Sequence, residues 1–320
     1  MIQPVELRET APKKLRNGGA STTTEVWDML VASRSGDLDR VKALVSANPA
    51  LVQCEFNYTP PLHFAVREGH VDLTRYLLEH GALDPKYRTY PFLDTLPVMA
   101  QDRGYDAISR LLEEHLRRPD LQSFDDVPDA PSSRDPERRR FQSMVDKDDL
   151  AGVEARLQER PELARDELAF WGEGILMMPA KCRQRAMVEL LLRYGARVPD
   201  VSKWGREYYF KHDDMAAFLL ARGMNPNHMT WQHVTLLHDM AQLGHLERAR
   251  LLLDHGADIN PLDEEYRSTP LGLAARWGQR EMVDLLLSRG ADPTKAGASW
   301  ATPLAWARAK GYRDIEDLLR

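Results

Sequence analysis

Cysteine is nearly absent. Cys54 and Cys182 are the only two among 320 residues, too few for a disulfide framework or a CxxC metal site, so each is expected to be buried or partly buried as a small apolar side chain. No apolar run approaches the roughly 18 residues that a membrane span needs. The opening MIQPVELRETAPKKLRNGGASTTT lacks the apolar stretch of a secretion signal, so a cytoplasmic location is expected, with no membrane partner. Basic excess is missing too: 43 Lys and Arg stand against 49 Asp and Glu, a formal net charge of -6. That balance gives no electrostatic reason to expect nucleic acid. No GxSxG, Walker, HExxH or GxGxxG string occurs, so no catalytic residue and no cofactor is assigned.

What is present is repetition. Thr235, Leu237, Ala241, Gly244, Leu251, Leu252, Gly256, Ala257 and Asp258 recur as Thr269, Leu271, Ala275, Gly278, Leu285, Leu286, Gly290, Ala291 and Asp292. The period of about 34 residues is that of stacked helical repeats. Further copies begin at Pro60 (PPLHFAVREGHVDLTRYLLEHGAL) and Thr302 (TPLAWARAKGYRDIEDLL). This pattern resembles the ankyrin repeat, whose consensus runs roughly TPLHxAAxxGHxxxVxxLLxxGADxN. The resemblance implies an all-α solenoid of helix-turn-helix pairs with hairpin-like loops. Thr and Pro open each inner helix, paired leucines pack between neighbours, and glycines such as Gly81, Gly195 and Gly256 end the outer helices in a left-handed conformation.

Aligning outward gives nine helix pairs. Residues 1–23 are polar and broken by Pro4, Pro12, Gly18 and Gly19, which reads as a flexible arm. Thr22 and Glu25 have capping-box spacing, so the first helix is expected near Thr24. Residues 24–117 carry three pairs and 140–320 carry six. Between them, 118–139 is rich in Pro, Asp, Ser and Arg and reads as a linker or surface insertion, the rival being a docking segment anchored by Leu121 and Phe124. Pro179 should shorten or kink the first helix of the fifth pair, and the sixth is compressed. In the first pair Asn48 stands where a glycine would end the second helix.

Four histidines, His228, His233, His238 and His245, lie close together, but no carboxylate or Cys stands at ligand spacing. His238 and His245 fill the consensus positions of TPLH and GH, where the resemblance implies structural hydrogen bonds. No metal is expected.

The resemblance also implies where a partner binds: the concave inner-helix surface and the loop tips. Inner-helix positions read as solvent-facing include Phe64, Arg67, Met99, Arg103, Arg206, Tyr209, Phe210, Asp239, Leu243, Arg276, Trp277 and Trp306; loop positions include Trp171, Trp204, Trp231, Tyr266 and Trp300. Trp, Tyr and Arg dominate interface energetics. The expected partner-binding strip is therefore Trp171, Trp204, Arg206, Tyr209, Phe210, Trp231, Tyr266, Arg276, Trp277, Trp300 and Trp306. The expected function is a monomeric, non-catalytic adaptor, scaffold or inhibitor that binds another protein. One alternative is an enzyme or small-molecule receptor with an aromatic groove near Trp204, Tyr209, Trp231 and Trp277. Another places the signal in the termini or the 118–139 insertion.

Overall fold

The computed structural model describes residues 1–119, 121 and 135–320. Most of the expected 118–139 insertion, with Phe124, lies outside the described residues. Contacts divide the chain into two units, Glu6–Ala130, and Met1–Val5 with Pro131–Arg320. Both are helical; among the described residues the one sheet is a two-stranded hairpin.

That hairpin corrects the expectation of an arm without regular structure. β1 (Pro12–Lys14) pairs antiparallel with β2 (Ala20–Thr22), Pro12 opposite Thr22 and Lys14 opposite Ala20. Sparse apolar residues pin it, since Leu7 and Leu15 are 1% and 2% exposed. Arg16 adds ion pairs to Glu55 at 3.2 Å and Asp84 at 3.1 Å. At the end of β2, Thr22 and Glu25 form the expected capping box for α1 (Thr23–Ser35).

In the same unit α1 pairs with α2 (Leu38–Ala47), α3 (Pro61–Glu68) with α4 (Val71–Glu79), and α5 (Leu96–Asp102) with α6 (Asp106–Leu116). The first helix of each pair packs on that of the next. Asn48 does not take the left-handed conformation expected of a glycine substitute. Its φ is -144° and its side chain accepts from Ala50 N, opening a 3-10 turn over Pro49–Gln53.

The second unit begins with α7 (Pro136–Asp146) and α8 (Leu150–Glu159). α7 starts inside the expected linker because Asp135 caps it and Pro136 sits in its first turn. α9 (Ala169–Gly172) is a single turn broken by positive φ at Phe170 and Trp171. α10 (Met177–Lys181) is five residues long, with Pro179 inside it, and pairs with α11 (Arg185–Arg193). α12 (Gly205–Tyr208) is shorter still and precedes α13 (Asp213–Leu220). Three regular pairs follow: α14 (Leu236–Leu243) with α15 (Leu246–Asp254), α16 (Pro270–Arg276) with α17 (Arg280–Ser288), and α18 (Pro303–Lys310) with α19 (Arg313–Leu318).

The inner row runs α10, α12, α14, α16, α18. Thr235, Thr269 and Thr302 each cap their inner helix. Gly195, Gly223, Gly256 and Gly290 have φ between +86° and +89°, which stops each outer helix without a Cβ clash. The loops form a second ladder: Asn227 Oδ1 accepts from Asp258 N at 2.7 Å, and Asn260 Oδ1 from Asp292 N at 2.9 Å. Leu252 and Leu286 are fully buried between layers, each contributing about 1.5–3 kcal/mol. Cys54 is buried as expected; Cys182, at the end of the short α10, is exposed, a correction to the sequence expectation.

Candidate functional site

Two buried polar networks position the aromatic residues of the second unit. The first surrounds Glu173, 1% exposed. Its Oε1 accepts from Lys203 N at 2.9 Å, its backbone carbonyl accepts from the Tyr209 hydroxyl, and Lys203 Nζ donates to Trp171 O at 2.6 Å. Burial raises the Tyr209 phenol well above its usual range, with the Glu173 charge adding to it. Beside them Ser202 Oγ lies 2.7 Å from His228 Nε2, and His228 Nδ1 lies 2.6 Å from Pro199 O. Burial pushes His228 down to about 4. This pair fastens a loop: both residues are within the core.

The second network centres on Ser268. Its Oγ donates to Ala301 O at 2.9 Å and accepts from Trp306 Nε1 at 2.8 Å, while its carbonyl lies 3.1 Å from His238 Nε2. His238 Nδ1 also lies 2.9 Å from Thr235 Oγ1. One serine and one histidine thus tie α14, the loop before α16, and α18. Burial pushes His238 down to about 4.

On this frame stands a ladder of rings. Trp277 meets Tyr266 edge-on at 5.5 Å between centroids, Tyr266 meets Trp306 at 5.9 Å, and Trp306 meets Trp300 at 5.6 Å. The Arg276 guanidinium lies among them, 4.1 Å from the Trp277 ring centre, 4.3 Å from Tyr266 and 5.2 Å from Trp306. Edge-to-face rings and stacked cations each add about 0.5–1.5 kcal/mol to burial.

The strip expected from sequence divides in two. Tyr209, Phe210, Arg276 and Trp306, read as solvent-facing, and the loop residues Trp231 and Tyr266 are all at most 5% exposed, so the solvent-facing reading of the first four is corrected and the two loop rings are buried as well. Phe64, Arg67, Met99, Arg103 and Asp239, also read as solvent-facing, are buried too. Side chains at these positions meet those of neighbouring repeats, as Arg276 meets the rings of Tyr266 and Trp306, so helix register alone does not settle their exposure. Trp204, Arg206, Trp277 and Trp300 are half-buried, Trp171 is 43% exposed and Leu243 40%. Sequence reasoning missed Glu173, Ser202, Lys203 and Ser268, whose roles depend on partners 26 to 38 residues away.

A cleft of about 1340 Å³ lies elsewhere, bordered by α8, α11 and α13. Ion pairs already join charges along it, Arg193 with Glu154 at 3.3 Å and Arg222 with Glu189 at 3.5 Å. Among the described residues no group of three or more His, Cys, Asp or Glu could hold a metal, and no helix is long and apolar enough to cross a membrane.

Comparison with known families matches ankyrin repeats, in three copies, over residues 29–123 and 206–296, more than half of the chain. This chain is an ankyrin-repeat protein. The family match registers three copies and does not extend to all nine expected repeats. An 83-residue stretch is 37% identical to the ARF GTPase-activating protein Git of Drosophila melanogaster, 26% of this chain and 11% of that protein. Identity to the human ARF GTPase-activating protein GIT1 is 36% over the same shares. A stretch of 109 residues is 31% identical to the glycerophosphocholine phosphodiesterase gde1 of Schizosaccharomyces pombe, 34% of this chain and 10% of that protein. The ankyrin chain therefore spans about a tenth of the length of these curated relatives. Ankyrin repeats are in general non-catalytic interaction modules, and these likenesses carry none of the three relatives' activities over.

Proposed function

We propose that this ankyrin protein is a non-catalytic, cytoplasmic, monomeric module, an adaptor, scaffold or inhibitor, that binds another protein through the inner-helix face and loops of its second unit. One observation carries the reading: Trp277 and Trp300 stand half-exposed at the two ends of a ring ladder whose middle, Tyr266 and Trp306, is buried. Rings held rigidly at a surface lose little entropy on binding and make efficient anchors. Trp171, Trp204 and Arg206 extend the contact surface; Tyr209, Phe210, Trp231, Tyr266, Arg276 and Trp306 support it from beneath. The net charge of -6 favours a protein over a nucleic acid. An aromatic small-molecule groove is the weaker reading, since Tyr209 and Trp231, two of its four rings, are 0% and 1% exposed.

Affinity capture from the native host tests this, with the intact protein beside a Trp277→Ala, Trp300→Ala variant whose fold is verified by circular dichroism. A protein retained by the first and lost by the second is the expected result. Equal retention by both would remove the ring ladder from the binding surface.

A further inference from the structure

On one face of α14 two acceptor oxygens have no donor. Asp239 is 5% exposed and Gln242, one turn on, is 8% exposed, and neither Asp239 Oδ1 nor Gln242 Oε1 takes part in a hydrogen bond among the described residues. Residues three apart on a helix share a face, with Cβ atoms about 5–6 Å apart. The nearest cation does not settle the carboxylate. Arg206 Nη1 lies 3.9 Å from Asp239 Oδ1, beyond hydrogen-bond reach, and the same guanidinium gives Nε at 3.0 Å and Nη2 at 2.9 Å to Glu207. The Gln242 backbone carbonyl is occupied, accepting from Gln279 Nε2 at 2.8 Å. A buried carboxylate without donors is costly to maintain.

The surroundings say what kind of group is missing. Both orphaned atoms are acceptors and one belongs to a carboxylate, so the complementary group is a cation with several N–H donors. Two acceptors one helical turn apart suit the planar fork of a guanidinium better than the single point of an ammonium. Beside them lies apolar surface: Leu243 is 40% exposed, and Trp277, half-buried, occupies the equivalent position one repeat later. The neighbouring ring ladder already holds a guanidinium, that of Arg276, against aromatic faces. Arg206 borders the spot and is paired with the exposed Glu207.

We propose that Asp239 and Gln242 receive an arginine side chain of a protein partner, its guanidinium donating to both oxygens and its methylene stem lying on Leu243 and Trp277. This rests on the inner-helix face being the binding surface and names the chemistry it reads.

The test uses the full chain, isotopically labelled, titrated with N-acetyl-arginine methylamide while amide resonances are followed. The citrulline analogue, of the same shape without charge, and the lysine analogue serve as comparators. Saturable shifts centred on Asp239, Gln242, Leu243 and Trp277 are expected with arginine, and weaker ones with lysine. Asp239→Asn, nearly isosteric, should lower the arginine affinity by about tenfold or more, the worth of a charge-assisted hydrogen bond. Citrulline matching arginine, shifts that do not saturate, or an unchanged affinity in Asp239→Asn would overturn the proposal. Affinity capture then separates the two readings. If Asp239→Asn still retains the partner that Trp277→Ala, Trp300→Ala loses, the arginine site falls and the surface stands. If arginine binds saturably at Asp239 and both variants retain the partner, the surface reading fails and the pocket loses its protein ligand.

Discussion

Burial moves three side chains of the second unit in ways that oppose one another between about pH 4 and 7. His228 and His238 are pushed down to about 4 by desolvation, while desolvation pushes Asp239 up to about 7 against the pull of Arg206. A histidine lowered in the folded state gives its full stability above its unfolded value near 6.5, and that stability is lost as pH falls toward 4. An acid raised in the folded state acts in the other direction: it costs stability when ionised, so its cost fades as pH falls from 7 toward 4. Near pH 5.5 the two histidines together bind about two more protons in the unfolded chain, and Asp239 about one more in the folded chain. Asp239→Asn removes the opposing share. The variant is therefore expected to be more stable than the natural protein at pH 7 and to lose stability on acidification with a slope greater by about one proton, read from denaturant midpoints at several pH values. Parallel pH profiles would show that Asp239 does not carry a raised acid.

At the level of elements, the regular pairs are joined by single side chains that serve two repeats at once. Ser268 is the clearest: its hydroxyl links Trp306 on α18 to the Ala301 carbonyl, and its carbonyl meets His238 on α14. Ser268→Ala leaves a buried indole N–H without its acceptor, so a loss of about 1–3 kcal/mol is expected, seen as a lowered denaturant midpoint with an unchanged slope. A change within about 0.3 kcal/mol would mean that water replaces the hydroxyl, since an ordered water can serve nearly as well as a direct bond. The role of His238 was legible in the sequence because Thr235-Leu-Leu-His238 stands where the TPLH consensus implies a helix cap and a hydrogen bond to the neighbouring loop. That of Ser268 was not, because its partners sit 30 and 33 to 38 residues away and no local pattern marks them. The hairpin of residues 12–22 was hidden for a related reason: three-residue strands carry no periodic signal, and two buried leucines decide the matter.

For the molecule as a whole, the stack was readable wherever period, caps and glycines agree, which is why α14 to α19 follow the alignment closely. Burial of the aromatic residues was not readable. A helix position fixes the direction in which a ring leaves its helix, but whether the ring meets water depends on the residues of neighbouring repeats. Trp306 and Trp277 show the difference: both were assigned to the open face, and one is sealed while the other is half-covered. Stability in such arrays is a sum of local terms and nearest-neighbour terms, so each unit can open on its own schedule.

The two thiols make that schedule measurable without altering the chain. Cys182 is exposed on the second unit, whereas Cys54 is wholly enclosed in the first, where desolvation and then the Glu55 charge hold its thiol far above the reactive range. Alkylation proceeds through the thiolate. One equivalent of reagent should therefore be consumed promptly and the second only as fast as the Glu6–Ala130 unit opens, so mass spectrometry of a single reaction time course yields the lifetime of that unit's closed state. Simultaneous labelling of both would mean that the first unit breathes freely around Cys54.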